Sequence, residues 1–111
     1  MNLSIYAIPG LRVLSREKED LIACEVFETT LDQLYSKTHK REVVDCRHAL
    51  LYYWQVVRKI SSVQAGKKYN RDHATALFAL KKTSGLIETN KKFRMKYEKF
   101  INALNPDQDS T

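Results

Sequence analysis

Apolar residues recur at helical spacing along most of this chain. Leu21, Cys24 and Phe27 lie three apart, with Ile22 and Val26 beside them. They predict a helix over 16–29, with Ser15 as its cap and Glu17, Glu19 and Asp20 at its positive end. Thr30-Leu31-Asp32-Gln33 reads as a capping box for a short helix ending near Ser36, anchored by Leu31, Leu34 and Tyr35. Val43, Cys46, Leu50, Tyr53, Trp54, Val57 and Ile60 form the longest stripe, and Ala49, Leu51 and Val56 widen it. That segment predicts the central helix of a core. A short helix over 63–68, capped by Ser61 or Ser62, runs into a tight corner at Tyr69-Asn70. Asn70 suits the cap of a longer helix from Arg71 to about Ser84, with Ala74, Ala76, Leu77, Phe78, Ala79 and Leu80 as its apolar body. A last helix is expected over 88–104, capped by Thr89 or Asn90. Leu86, Ile87, Phe93, Met95, Tyr97, Phe100, Ile101 and Leu104 supply its apolar contacts, and Lys91, Lys92, Arg94, Lys96 and Lys99 coat its other side.

The pattern implies an all-α fold, a compact helical bundle. Three Gly and two Pro are too few for a turn-rich β protein. Residues 1–14, apolar but interrupted by Pro9-Gly10, read as an irregular N-terminal arm; residues 15–104 read as one helical domain and 105–111 as a polar tail. No apolar run reaches the roughly 18 residues that cross a bilayer. No secretion signal opens the sequence, so the expected location is the cytoplasm, on the nucleoid. Cys24 and Cys46 both fall in apolar helical patterns and are expected as buried free thiols.

Charge changes the picture. The net +6 is unevenly spread. Residues 1–33 hold three bases and six acids, whereas residues 34–101 hold sixteen bases and five acids. A basic body of this kind is the footprint of a polyanion binder. Ser36-Lys37-Thr38-His39-Lys40-Arg41 is a basic, hydroxyl-bearing loop without an apolar anchor, suited to phosphate or minor-groove contact. Asn70-Arg71-Asp72-His73-Ala74-Thr75 opens the second helix of a short helix, brief turn and longer helix. That is the form of a helix-turn-helix, in which the first turn of the second helix meets base edges. By themselves these six residues are equally those of a capped surface helix.

Three motifs, in order and nearly free of gaps, resemble the C-terminal DNA-binding domain of the bacterial replication initiator DnaA from about Glu17 to Leu104. Leu34-Tyr35-Ser36-Lys37 and the basic loop resemble that family's leucine, serine and arginine-rich loop. Arg47-His48-Ala49 resembles the start of its long helix. Ser61 through Gly66 and Tyr69, leading into Arg71-Asp72-His73-Ala74-Thr75-Ala76-Leu77, resembles its signature. The resemblance implies a Trp-repressor-like helix-turn-helix domain that reads a short duplex box. It further implies that Asp72 and His73 meet base edges with Ala74 beside them, and that Val63 and Leu77 touch thymine methyls. Ser61, Arg47, His48, Arg71 and Thr75 would hold phosphates, and Lys37, His39, Lys40 and Arg41 would enter the adjacent minor groove. Three positions depart from the family: Asn70 stands for its glycine, Ala74 for a hydroxyl residue, and His39 for a minor-groove arginine.

The expected function is sequence-preferring binding of double-stranded DNA, as an accessory replication factor or a transcriptional regulator, in a phage or mobile element. The chain shows neither a phosphate-cradling Gly-rich loop nor the length for the initiator's ATPase module, so the reading head is expected to act alone. The alternative from another class is a protein-interaction module that binds or mimics a replication-initiation protein, through the acidic surface of Glu25, Glu28 and Asp32. An enzyme is not expected. His39, His48, His73, Cys24 and Cys46 lack zinc spacing, and Asp45, Cys46 and His48 crowd one turn of a buried helix. No cofactor, metal, membrane or small-molecule substrate is implied.

Overall fold

The structure, a computed structural model, describes residues 14–105, with side chains from Lys18 onward. The expected arm falls outside the described residues except for Leu14, and the tail except for Asn105. Six α-helices and no strand occur among the described residues: α1 (Leu14–Val26), α2 (Leu31–Leu34), α3 (Arg41–Val56), α4 (Ser62–Lys68), α5 (His73–Thr89) and α6 (Lys91–Leu104). The fold is an all-α bundle centred on α3, which packs against α1, α2, α4 and α5, while α6 closes the core against α1 and α5.

The core follows the stripe on α3. Val43, Cys46, Leu50, Leu51, Tyr53 and Trp54 are buried with Phe27, Leu34, Tyr69, Phe93 and Phe100 from the surrounding elements. Burying such side chains supplies the main drive for packing, about 1.5–3 kcal/mol for each large one. Cys24 and Cys46 are free and buried. A hydrogen bond to Cys24 and then burial push the Cys46 thiol well above its ordinary value, which keeps it protonated in the core.

Several boundaries differ from the sequence pattern, each for a physical reason. α1 begins at Leu14, one residue before Ser15. α3 ends at Val56, four residues before the apolar pattern does. Lys59 then takes a left-handed φ of 58°, Ile60 N–H donates back to Trp54 O at 3.1 Å, and Val57 is left 47% exposed. The pattern ends α5 at about Ser84, yet the helix runs on through Gly85 to Thr89. Half-buried Leu86 and Ile87 pack on the core, and that burial outweighs the roughly 1 kcal/mol that an interior glycine costs. α6 accordingly starts late, at Lys91, where Asn90 Oδ1 accepts from Phe93 N–H at 3.0 Å.

Single positions differ as well. Leu21, Phe78 and Met95, all expected in the core, are exposed. Asp20, expected among the acids at the positive end of α1, is 1% exposed, and its carboxylate accepts hydrogen bonds from the hydroxyls of Tyr35 and Tyr69.

Candidate nucleic-acid interface

α4 and α5 form the helix-turn-helix, and the sequence of the turn explains its tightness. Ser61 caps α4, its Oγ accepting from Gln64 N–H at 3.1 Å while Gln64 Oε1 accepts from Ser61 N–H. The helix ends at Tyr69, and Asn70 takes a left-handed φ of 58°, a conformation that Asn tolerates better than most side chains. Arg71 N–H then donates to Gly66 O at 2.8 Å. Gly66 is required here, because a Cβ would stand 2.7 Å from Arg71 O and 2.8 Å from Asp72 O.

The cap of α5 is Asp72, not Asn70. Asp72 Oδ1 accepts from Thr75 N–H at 2.9 Å, and the helix begins at His73. That backbone hydrogen bond is the main reason the carboxyl titrates below its ordinary value. The first turn therefore presents His73 and Ala74 to solvent, while Thr75 is half-buried. Leu77 follows one turn on at 49% exposure, and Val63 stands at 48% on α4. Lys81, one further turn from Leu77, is exposed and shares a shallow groove with it. The pattern reading missed Lys81, although its spacing of four from Leu77 and seven from Ala74 was there to find it.

The basic loop is built by its own hydroxyls. Ser36 Oγ donates to Gln33 O at 2.7 Å and accepts from Thr38 N–H, and Thr38 Oγ1 accepts from Lys40 N–H. These local bonds fix the backbone and leave Lys37, His39 and Lys40 exposed. Arg41 is not part of the loop but the first residue of α3, where it lines a polar cleft with Glu28, Glu42, Asp45, Lys92 and Lys96.

Two residues expected at the surface are turned inward. Arg47 is 4% exposed, its Nε donating to Leu34 O at 3.1 Å and its Nη2 to Gln33 O at 3.3 Å and to Ser36 O at 3.0 Å. The cause is its place on the core side of α3, facing the carbonyl end of α2. His48 is half-buried against the ring of Phe78, with centroids 5.8 Å apart. Burial, followed by the charges of Arg47 and Lys82, pushes its imidazole down to about 4, so it is neutral at neutral pH.

Arg71 joins the two halves of the interface. Its Nη1 donates to Tyr69 O at 3.0 Å within the turn, and its Nη2 reaches Ser36 O at 2.8 Å at the root of the loop. Between Val57 and Ile87 the sequence holds seven bases, and Asp72 is its one acid. The loop, the turn and the exposed face of α5 thus share a strongly cationic setting.

No family model matches the chain. It is similar to the chromosomal replication initiator protein DnaA of several bacteria. Identity is 34% over 85 residues with that of Flavobacterium psychrophilum, covering 76% of this chain. It is 31% over 84 residues with that of Bacteroides thetaiotaomicron and 35% over 78 residues with that of Bacteroides fragilis, covering 75% and 69% of this chain. The chain spans only 16–18% of the length of these relatives.

Proposed function

Because this chain resembles the C-terminal domain of the replication initiator DnaA, we propose that it binds double-stranded DNA with sequence preference through its helix-turn-helix. One observation carries the reading. The first turn of α5 offers an exposed imidazole, a methyl group and an exposed capping carboxylate, next to a basic loop bonded to the same turn. In this reading α5 enters the major groove. His73 and Asp72 Oδ2 face base edges, and Ala74, Leu77 and Val63 face thymine methyls. Lys37, His39 and Lys40 track the adjacent minor groove.

The backbone contacts divide by exposure. Ser61 keeps its hydroxyl proton free for a phosphate, because its oxygen acts as acceptor in the cap. Arg71, Thr75 and Lys81 border the same face. His48 contributes a neutral N–H, and Arg41 a cation at the start of α3. Arg47 acts from beneath, holding the loop root by three carbonyls and adding its charge to that of Arg71. The domain so defined covers residues 15–104, and its role is that of an accessory replication factor or transcriptional regulator, in a phage or mobile element.

Selection of binding sites from random duplexes tests the proposal. A recovered motif that loses enrichment in His73→Ala supports it; recovery of no motif overturns sequence preference. Capture of a replication-initiation protein by Glu25, Glu28 and Asp32, without any duplex retained, would favour the interaction-module alternative.

A further inference from the structure

The loop and the turn converge on a residue that lies in neither. Asp20, on α1, divides its carboxylate between two phenols. Tyr35 donates to Oδ2, and Tyr69 donates to Oδ1 at 2.8 Å. Tyr35 is the C-terminal cap of α2 and the residue before the basic loop; Tyr69 is the C-terminal cap of α4 and the first residue of the turn. Their rings stack with centroids 5.6 Å apart. Tyr69 Oη, having donated its proton to Asp20, accepts from Trp54 Nε1 at 2.8 Å, which ties the assembly to α3. Asp20, Tyr69 and Trp54 are all nearly inaccessible, at 1%, 0% and 5% exposure.

We infer that Asp20 is a positioning residue for DNA recognition, a brace that sets the spacing between the loop of residues 36–40 and the first turn of α5. This rests on the DNA-binding reading above. Two groove-facing elements bind one duplex well only if their separation is fixed before binding, since ordering them on the DNA costs free energy. Hydrogen bonds to a carboxylate are the stronger kind, and two phenols pinned to one carboxylate cannot drift apart independently. The Ser36 carbonyl, bonded by Arg71, is a second tie between the same two segments. An apolar residue at position 20 would fill the space but would not fix the register of the two phenols. An amide in place of the carboxylate keeps one acceptor and turns N–H donors toward the other phenol. Tyr69 Oη already accepts from Trp54, so the amide cannot receive both phenol protons as the carboxylate does.

The test compares wild type, Asp20→Asn, Tyr35→Phe and Tyr69→Phe by amide exchange on the intact chain and by duplex titration. The reporters are the amides of Ser36, bonded to Gln33 O at 3.0 Å, and of Arg71, bonded to Gly66 O at 2.8 Å. In Asp20→Asn both should exchange about tenfold faster while amides of α6 change less than about twofold. The preference for the selected duplex over a scrambled one should fall about tenfold, and Asp20→Asn with Tyr69→Phe should be no worse than the worse single change. The emission of Trp54, the one tryptophan, should shift in Asp20→Asn and Tyr69→Phe.

Wild-type exchange at both amides, or loosening of one segment alone, overturns the brace. Wild-type protein that ignores every duplex, while both amides still loosen together in Asp20→Asn, overturns the DNA reading instead. If Asp20→Asn does not fold, Tyr35→Phe replaces it. The brace then requires that losing the loop-side hydroxyl speeds exchange at Arg71, and unchanged exchange there contradicts it.

Discussion

Arg47 and Arg71 donate to the same backbone oxygen, that of Ser36, at 3.0 and 2.8 Å. Two guanidinium groups from elements far apart in sequence thus meet at the root of the basic loop. Their mutual repulsion is visible in Arg47, which burial and then the charge of Arg71 hold below its ordinary value. Arg47→Met keeps the volume but abandons the carbonyls of Leu34, Gln33 and Ser36. Ser36 O keeps Arg71 and Gln33 O keeps Ser36 as donors, so the loss falls chiefly on the Leu34 carbonyl and should cost about 1–3 kcal/mol in urea unfolding. Arg47→Lys should recover little of it, since an ammonium lacks the planar fork. A loss below about 0.5 kcal/mol would contradict the role assigned to Arg47.

Gly66→Ala should be severe for a one-methyl change. The new Cβ would meet the carbonyl oxygens of Arg71 and Asp72 at 2.7 and 2.8 Å, and both belong to backbone that cannot step aside. Opening the turn should cost about 1–3 kcal/mol in thermal unfolding. Gly85→Ala, with nothing within 4 Å, should stabilise α5 by about 0.5–1 kcal/mol.

Stability should fall as pH drops from 6.5 toward 4, in part through His48. Its folded pKa is depressed to about 4, so the unfolded chain takes up the proton first. The stability tied to the neutral ring is complete above about 6.5 and is lost as pH falls through that window. The full linkage is about 3 kcal/mol, and partial solvent contact at the ring reduces it to about 2. Asp45, raised chiefly by burial, works in the opposite direction at the acidic end. The difference between wild type and His48→Gln isolates the imidazole. Parallel pH profiles for the two would show that His48 carries no such coupling.

Much of this fold was legible in the sequence, because six helices with strong apolar stripes leave few alternatives. Trp54 and Leu50 had to face inward on any reading of α3. The capping chemistry was less legible. Asn70 and Asp72 are both good caps two residues apart, and the choice between them depends on Gly66 admitting a turn that closes only when Asn70 is left-handed. Arg47 looked like a surface cation because sequence gives its charge but not its neighbours; only folding brings the carbonyl end of α2 beneath it. Asp20 was hidden for the same reason, since its partners lie 15 and 49 residues away.

The two halves of the interface should fail in different ways. His73→Ala should cost roughly 1–3 kcal/mol of discrimination between the selected duplex and one altered in its major-groove pattern, with little change toward scrambled DNA. Lys40→Ala should weaken all duplexes alike and flatten the salt dependence by about one unit of slope. A uniform loss in His73→Ala would move the imidazole from base reading to backbone contact.

The most direct test of the central claim is titration of wild-type protein with two labelled duplexes, the selected one and its scramble, at about 50 and 200 mM salt. The account predicts that both affinities fall steeply with salt, while the selected duplex stays preferred by about a hundredfold or more. Equal affinity for the two duplexes at both salt concentrations would contradict it.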